Sequence, residues 1–220
     1  MEKHNALIAG ATGLVGNQLL EQLLADANYS TVVILVRKPI PMDHPKLSQL
    51  VVDYDQLESL TLPVEVQHVF CALGTTIKTA GSQEAFRCVD HDYVIRVGKY
   101  CENHRAQKFL VVSAMGANSS SGVFYNRVKG EMEIAVRQLS IPFIAIFRPS
   151  LLIGKRKEFR MGERFAQGLL GSLGFLFIGG LKRYKPIQAA TVARAMIRIA
   201  SMPNKGFRVL DSGEMAEVGD

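Results

Sequence analysis

Cysteine is scarce in this chain and long apolar runs are missing. Cys71, Cys88 and Cys101 are an odd number without a close pair in 220 residues, so neither a disulfide framework nor a zinc site is indicated, and a reducing compartment fits. The five histidines, His4, His44, His68, His91 and His104, show no ligand spacing, and no metal is expected. The apolar stretch from Leu169 to Leu181 is short and broken by Gly171, Gly174, Gly179 and Gly180, which is too little for a membrane span. No charged patch leads into an apolar segment and cleavage site at the first residues, so a cytoplasmic location is expected. Internal repeats, low-complexity linkers and nucleic-acid-binding motifs are also missing.

What is present is enough apolar material for one core. Hydrophobic residues make up 48% and charged residues 21% of the chain, which suits a single domain over residues 1–220 and leaves little for a second. The net charge of +6 is local. Between Lys155 and Lys185 eight basic residues face only Glu158 and Glu163, which accounts for the whole excess. Such a stretch is either a solvated basic face or a site for an anionic ligand or partner. A homodimer or a protein partner stays open.

The pattern of elements is alternating. Asn5 to Ala9 is a short apolar run, and Leu19, Leu20, Leu23 and Leu24 give the segment Leu14 to Leu24 one buried helical side. Thr31 to Val36, Leu50 to Val52 and Val66 to Cys71 are continuously apolar and suggest strands buried on both faces. Ser82 to Asn103 predicts a long helix, Phe109 to Ser113 a strand, Phe124 to Leu139 a helix and Phe143 to Phe147 a strand. After Pro149 the rhythm gives way to the Gly-rich basic stretch, and residues 150–187 are expected to be a substrate-side insertion. A helical run, Ala189 to Ala200, and a last strand, Phe207 to Leu210, follow. The fold class is therefore α/β: a doubly wound, mostly parallel sheet of the Rossmann type with a small C-terminal substrate-side region.

Between the first strand and first helix stands Gly10-Ala11-Thr12-Gly13-Leu14-Val15-Gly16. The spacing alone is weak, but its position suits a dinucleotide site. Gly10 permits the tight turn, Gly13 has no Cβ to obstruct a pyrophosphate, and Gly16 lets the helix approach the strand. Unpaired amides at the helix start would meet the phosphate charge, so Thr12, Leu14 and Val15 join the three glycines as cofactor-binding candidates. The second strand runs into Arg37 and Lys38 with no carboxylate before Asp43. An NAD site places an acid there, whereas a guanidinium suits a 2'-phosphate, so NADP(H) is the expected cofactor. The alternative for Arg37 and Lys38 is an ordinary surface pair. Asp53, after the third strand, either approaches adenine or is a plain turn carboxylate.

Tyr125-Asn126-Arg127-Val128-Lys129 puts a phenol and an ammonium on one face of a helix. A phenol titrates at about 10 in water, and a neighbouring cation favours the phenolate. The pair opens the helix after the strand ending at Ser113, where cofactor and substrate meet in doubly wound folds. A surface tyrosine and a solvated lysine are the bland alternative.

The glycine loop, the Tyr125/Lys129 pair and the Arg148-Pro149 step together resemble the extended and atypical short-chain dehydrogenase/reductases. So do the segments Phe70-Cys71-Ala72-Leu73-Gly74-Thr75-Thr76, Val89 to Val94, Tyr125 to Glu131 and Thr191 to Met196, and the likeness covers nearly the whole chain. The resemblance implies that Tyr125 is the acid or base toward a carbonyl or alcohol of a small-molecule substrate. It implies that Lys129 holds the nicotinamide ribose and tunes Tyr125, and that Ser113 polarises the substrate oxygen. It places Asp90 where the superfamily has a helix asparagine, Ala72, Leu73, Gly74 and Thr75 along the middle of the cofactor, and Pro149, Ser150 and Leu151 on its nicotinamide side. Three functions stay open: an NADP(H)-dependent oxidoreductase, a dinucleotide-binding regulatory or interaction protein, and a nucleotide-sugar epimerase or dehydratase.

Overall fold

The computed structural model describes residues 3–154 and 185–219. The basic residues from Lys155 to Arg183, and with them most of the expected 150–187 insertion, lie outside the described residues.

Seven strands form one sheet: β1 (His4–Ala9), β2 (Tyr29–Val36), β3 (Leu47–Val51), β4 (His68–Cys71), β5 (Lys108–Val112), β6 (Phe143–Arg148) and a last strand at Gly206–Asp211. Their order is β3-β2-β1-β4-β5-β6 and then the last strand, and every pair is parallel. A parallel sheet needs a crossover between strands, and the crossovers here cover both faces. On one side lie α1 (Leu14–Ala25) and the helix Ala189–Ser201; on the other lie α4 (Tyr93–Asn103) and α5 (Phe124–Arg137). Two short helices, α2 (Ile77–Ala80) and α3 (Gln83–Arg87), precede α4. Numbered on in chain order, the helix Ala189–Ser201 is α6 and Ser212–Gly219 is α7.

The strand period of two decides which core each residue joins. Ala6 and Ile8 of β1, Val32 and Ile34 of β2, and Leu110 of β5 face Leu19, Leu20, Leu23, Val192 and Met196. Their neighbours Leu7, Ala9, Val33, Leu35, Phe109 and Val111 face Val94, Val97, Met132 and Val136. This is why the sequence shows continuous apolar runs: both faces are covered. Each of the larger of these side chains, the valines, leucines, isoleucines and Phe109, contributes roughly 1.5–3 kcal/mol by leaving water.

Two expectations are corrected. The strand expected at Leu50–Val52 is β3, Leu47–Val51, and it is the edge strand, half-buried rather than buried on both faces. The long helix expected from Ser82 to Asn103 is interrupted by a single π-turn, Cys88–Asp92, where the Tyr93 amide reaches back to the Cys88 carbonyl. Its start is as expected, with the Ser82 hydroxyl accepting from the Ala85 amide at 3.1 Å.

The sheet order reverses between β1 and β4, and the crevice at the carboxyl ends of these strands is the place where doubly wound folds bind ligands. Beside it, β7 (Leu152–Ile153) pairs with β8 (Ile187–Gln188), and the Ser150 amide donates to the Ser212 hydroxyl at 2.8 Å. The chain on both sides of residues 155–184 is thus anchored at the same sheet edge. The last strand is β9 in chain order. No helix among the described residues is long and apolar enough to cross a membrane.

Candidate active site

The glycine loop is built by backbone sterics. Gly10 has φ +89°, a left-handed conformation that suits glycine, and a Cβ there would lie 2.6 Å from the Ala72 carbonyl. A Cβ on Gly16 would sit 2.0 Å from the Gly10 carbonyl oxygen, so Gly16 is needed for α1 to start so close to the β1 turn. Gly13 caps α1 with an ordinary backbone and no side-chain bond. Its Cβ position lies 3.3 Å from the Gly10 oxygen and 3.8 Å from the Ala72 oxygen, inside a cradle that any side chain would fill. The Asn17 amide is the first in α1 to bond back, to the Gly13 carbonyl at 2.8 Å. The amides before it are free of intrahelical acceptors and present positive charge to the cradle.

From this cradle a groove runs in two directions. One arm is walled by Gly10, Thr12, Gly13, Arg37, Val52, Asp53 and Tyr54. The other is walled by Gly13, Leu14, Val15, Asp90, Ser113, Tyr125, Lys129, Pro149, Ser150 and Leu151, and Ala72, Leu73, Gly74 and Thr75 belong to both. The structure thereby brings together nearly every residue singled out from the sequence. Two stand apart: Gly16 packs behind the loop, and Lys38 is exposed outside the groove wall while its neighbour Arg37 lines it. Asp53 is a turn carboxylate that accepts from the Asp55 amide at 2.9 Å and caps a short 3-10 helix, Tyr54–Ser59, and it also lines the groove. A groove of this kind, with helix-start amides at Gly13, a guanidinium at one end and a phenol and an ammonium at the other, is what doubly wound folds offer to a dinucleotide.

Two aromatic residues of the first arm have no role assigned from the sequence. Tyr54 and Tyr93 stack with ring centroids 5.1 Å apart, and the Tyr54 hydroxyl donates to the Leu35 carbonyl at 3.1 Å. Burial raises the Tyr54 phenol well above its ordinary range, so it stays protonated.

In the second arm α5 supplies a stripe. Tyr125, Lys129 and Glu133 follow at helical spacing. The Tyr125 ring is fixed against Phe86, a fully buried residue of α3, at 5.5 Å between centroids. Lys129 is buried and its Nζ meets Asp90 Oδ1 at 2.7 Å, while Asp90 Oδ2 accepts from the Thr75 amide at 2.7 Å. Burial alone would depress the Lys129 pKa, but the Asp90 carboxylate and the nearby Tyr125 outweigh it, and the net shift is upward. The Asp90 carboxylate thereby favours the ammonium form of Lys129.

Ser113, at the end of β5, donates its hydroxyl to Glu133 Oε1 at 2.5 Å, and the Arg148 guanidinium clasps the same carboxylate through Nε at 2.9 and 3.1 Å and through Nη2. The hydrogen bond to Glu133 raises the Arg148 pKa further. Glu133 was missed in the sequence, although its place one turn beyond Lys129 was the signal. Cys71 ends β4 close to the groove, but burial pushes its thiol up to about 12, which removes it as a nucleophile.

Known proteins resemble this chain over the same elements. The family described as NAD(P)H-binding matches residues 10–149, the span from the glycine loop to the Pro149 wall. The HTATIP2 protein of Rattus norvegicus is 32% identical over 224 aligned residues, covering all of this chain and 90% of its own length. The mitochondrial protein FMP52 of Eremothecium gossypii is 31% identical over 96% of this chain and 95% of its own length. The solved structure of the Bordetella bronchiseptica enzyme WbmH with NAD+ superposes with a TM-score of 0.73 at 16% identity, over all of this chain and 80% of WbmH, a likeness of fold. A nicotinamide dinucleotide is the cofactor class of this fold and family. With the glycine cradle, the seven-stranded parallel sheet and full-length relatives in agreement, the chain belongs to the NAD(P)H-binding family and, within it, to the atypical short-chain dehydrogenase/reductases.

Proposed function

We propose that this protein is an NADP(H)-dependent oxidoreductase acting on a carbonyl or alcohol, with Tyr125 as the acid or base. The observation that carries the reading is the shared groove: Tyr125 and Lys129 of α5 line its inner arm, and the glycine cradle lies at the junction with the arm that holds Arg37. The preference for NADP(H) rests on Arg37, which lines the outer arm where an acid would select NAD.

A bound nicotinamide supplies or accepts the hydride. The protein's part is positioning and proton transfer. The Tyr125 hydroxyl gives its proton to the substrate oxygen in reduction and takes it back in oxidation. The Lys129 ammonium holds the ribose and offsets negative charge on the Tyr125 oxygen. Ser113 stands on the groove wall with its proton turned to Glu133, which leaves its oxygen lone pairs for a donor such as a substrate hydroxyl.

The test is Tyr125→Phe, which keeps the ring against Phe86. NADPH affinity should survive while turnover of a substrate found by carbonyl and alcohol screening falls by about two orders of magnitude or more. Undiminished turnover removes Tyr125 as the acid or base, and a screen without any turnover favours a cofactor-binding interaction protein.

A second reading draws on the solved structure of MoeE5 with UDP-glucuronic acid and NAD, which shares the fold at a TM-score of 0.71. A nucleotide-sugar epimerase or dehydratase would use the same Tyr125 but return the hydride to its own substrate. Cofactor retained through many turnovers, with no net NADPH consumption, distinguishes that reading.

A further inference from the structure

The π-turn gives the inner arm a carboxylate. A π-turn adds a residue to the helical repeat and re-aims the side chains around it, and such turns concentrate at functional sites. Here the turn Cys88–Asp92 carries Asp90, whose residue is 1% exposed, against Lys129. Two buried charges are a poor device for stability alone, because desolvation offsets most of their attraction and an apolar pair of similar size would serve as well.

The pair is also open on one side. A Cβ at Gly74 would come within 3.3 Å of Asp90 Oδ1 and 4.0 Å of Lys129 Nζ. The missing side chain at Gly74 leaves room beside both charges, and Gly74, Thr75, Asp90 and Lys129 all line the same arm of the groove. The carboxylate is acceptor-only and the ammonium donor-only. Side by side they match a vicinal diol, in which each hydroxyl must donate one hydrogen bond and accept another. Asp90 Oδ1 already accepts from Lys129 and Oδ2 from the Thr75 amide, which fixes the carboxylate's orientation, and each oxygen has a second lone pair.

We propose that Asp90 is a binding residue for the nicotinamide half of the cofactor: it accepts hydrogen bonds from the ribose hydroxyls while holding Lys129 in position to donate to them. This rests on the NADP(H)-binding reading above. It makes the ribose contact a neutral donor–acceptor pair and not a lone cation, so the site reads the diol and does not simply attract negative charge.

The experiment compares NADPH with adenosine 2',5'-bisphosphate, which carries only the part of the cofactor assigned to the Arg37 arm. Binding of each is titrated to the full-length protein and to Asp90→Asn, which keeps the size of the side chain and loses its charge. The variant should bind NADPH at least about tenfold more weakly, the scale of one charged hydrogen bond. Its affinity for the bisphosphate should stay within about twofold, since Cys88 and Val89 of the π-turn line the Arg37 arm but Asp90 lines the inner arm. Equal weakening of both ligands, or of neither, overturns the assignment. A wild-type protein that binds neither ligand overturns the NADP(H) reading together with it. A structure of the wild-type complex with NADP+ gives a check independent of the variant's folding: a ribose hydroxyl within about 3.2 Å of an Asp90 oxygen supports the proposal, and a ribose beyond reach of Asp90 overturns it.

Discussion

Ser113 and Glu133 meet at 2.5 Å, with the serine proton directed into the protein and Arg148 closing the far side of the carboxylate. The end of β5 is thereby tied to α5 and to β6, the three elements that frame the inner arm of the groove. A buried carboxylate left without partners is costly, so this network is a structural brace as much as part of the site.

The brace separates two variants. Ser113→Ala removes one hydrogen bond to Glu133 and leaves the Arg148 clasp, so it should cost about 1 kcal/mol of stability. Arg148→Ala leaves the buried carboxylate with the Ser113 hydroxyl alone and should cost more, about 2–3 kcal/mol, the partly exposed guanidinium being worth less than a fully buried one. Urea denaturation of both proteins measures the difference. Equal losses would mean that the guanidinium does not carry the pairing.

Arg37 and Lys38 make unequal predictions. Arg37 lines the outer arm of the groove and Lys38 does not. Arg37→Ala should weaken NADPH binding by about 10- to 100-fold, the scale of a charged hydrogen bond, with NADH binding little changed. Lys38→Ala should have a smaller effect. Titrations with both cofactors decide it, and an Arg37→Ala protein that still prefers NADPH to the same degree would refute the assignment.

The glycines divide into ligand and fold. Gly13 has a backbone open to any residue, so Gly13→Val should remain folded and lose dinucleotide binding. Gly16→Ala forces a Cβ to 2.0 Å from a carbonyl oxygen and should cost several kcal/mol, roughly the upper range for single substitutions. Thermal melts alongside NADPH titrations separate the two. Normal NADPH binding by folded Gly13→Val would place the phosphate site elsewhere.

His68 makes a prediction about acid. It is buried at the far end of β4, shares a hydrogen bond with the Tyr29 hydroxyl at 2.8 Å, and lies tilted against the His4 ring at 4.4 Å between centroids. Burial first, and then the nearby His4 and Lys108, lower its pKa to about 3 from 6.5. Between these values the unfolded chain takes up a proton that the folded protein excludes. Stability should therefore be full above about pH 6.5, fall as pH drops toward about 3, and lose nothing more from this residue below that. Denaturation curves at several pH values test this against His68→Gln, which keeps a polar partner for Tyr29 and should flatten the slope. An unchanged slope in the variant would assign the acid sensitivity to other groups.

The local parts of this protein were legible in its sequence. Strand and helix alternation, the glycine loop between β1 and α1, and the four-residue step from Tyr125 to Lys129 all depend on chemistry within one or two turns of chain, and the structure brings these parts to one groove. Full-length resemblance placed Ala72 to Thr75 and Pro149 on the groove walls. What neighbouring residues do not encode is which distant groups meet. The edge position of β3 follows from strand order, and the Asp90–Lys129 and Ser113–Glu133 pairs follow from the packing of α3, α4 and α5 on the sheet. The π-turn that re-aims Asp90 has the same apolar periodicity as an unbroken helix, to within one residue, so spacing could not reveal it. Local periodicity determined the elements and the residue types of the site; the tertiary structure decided which charges face one another, because that depends on helix register and strand order across the whole core.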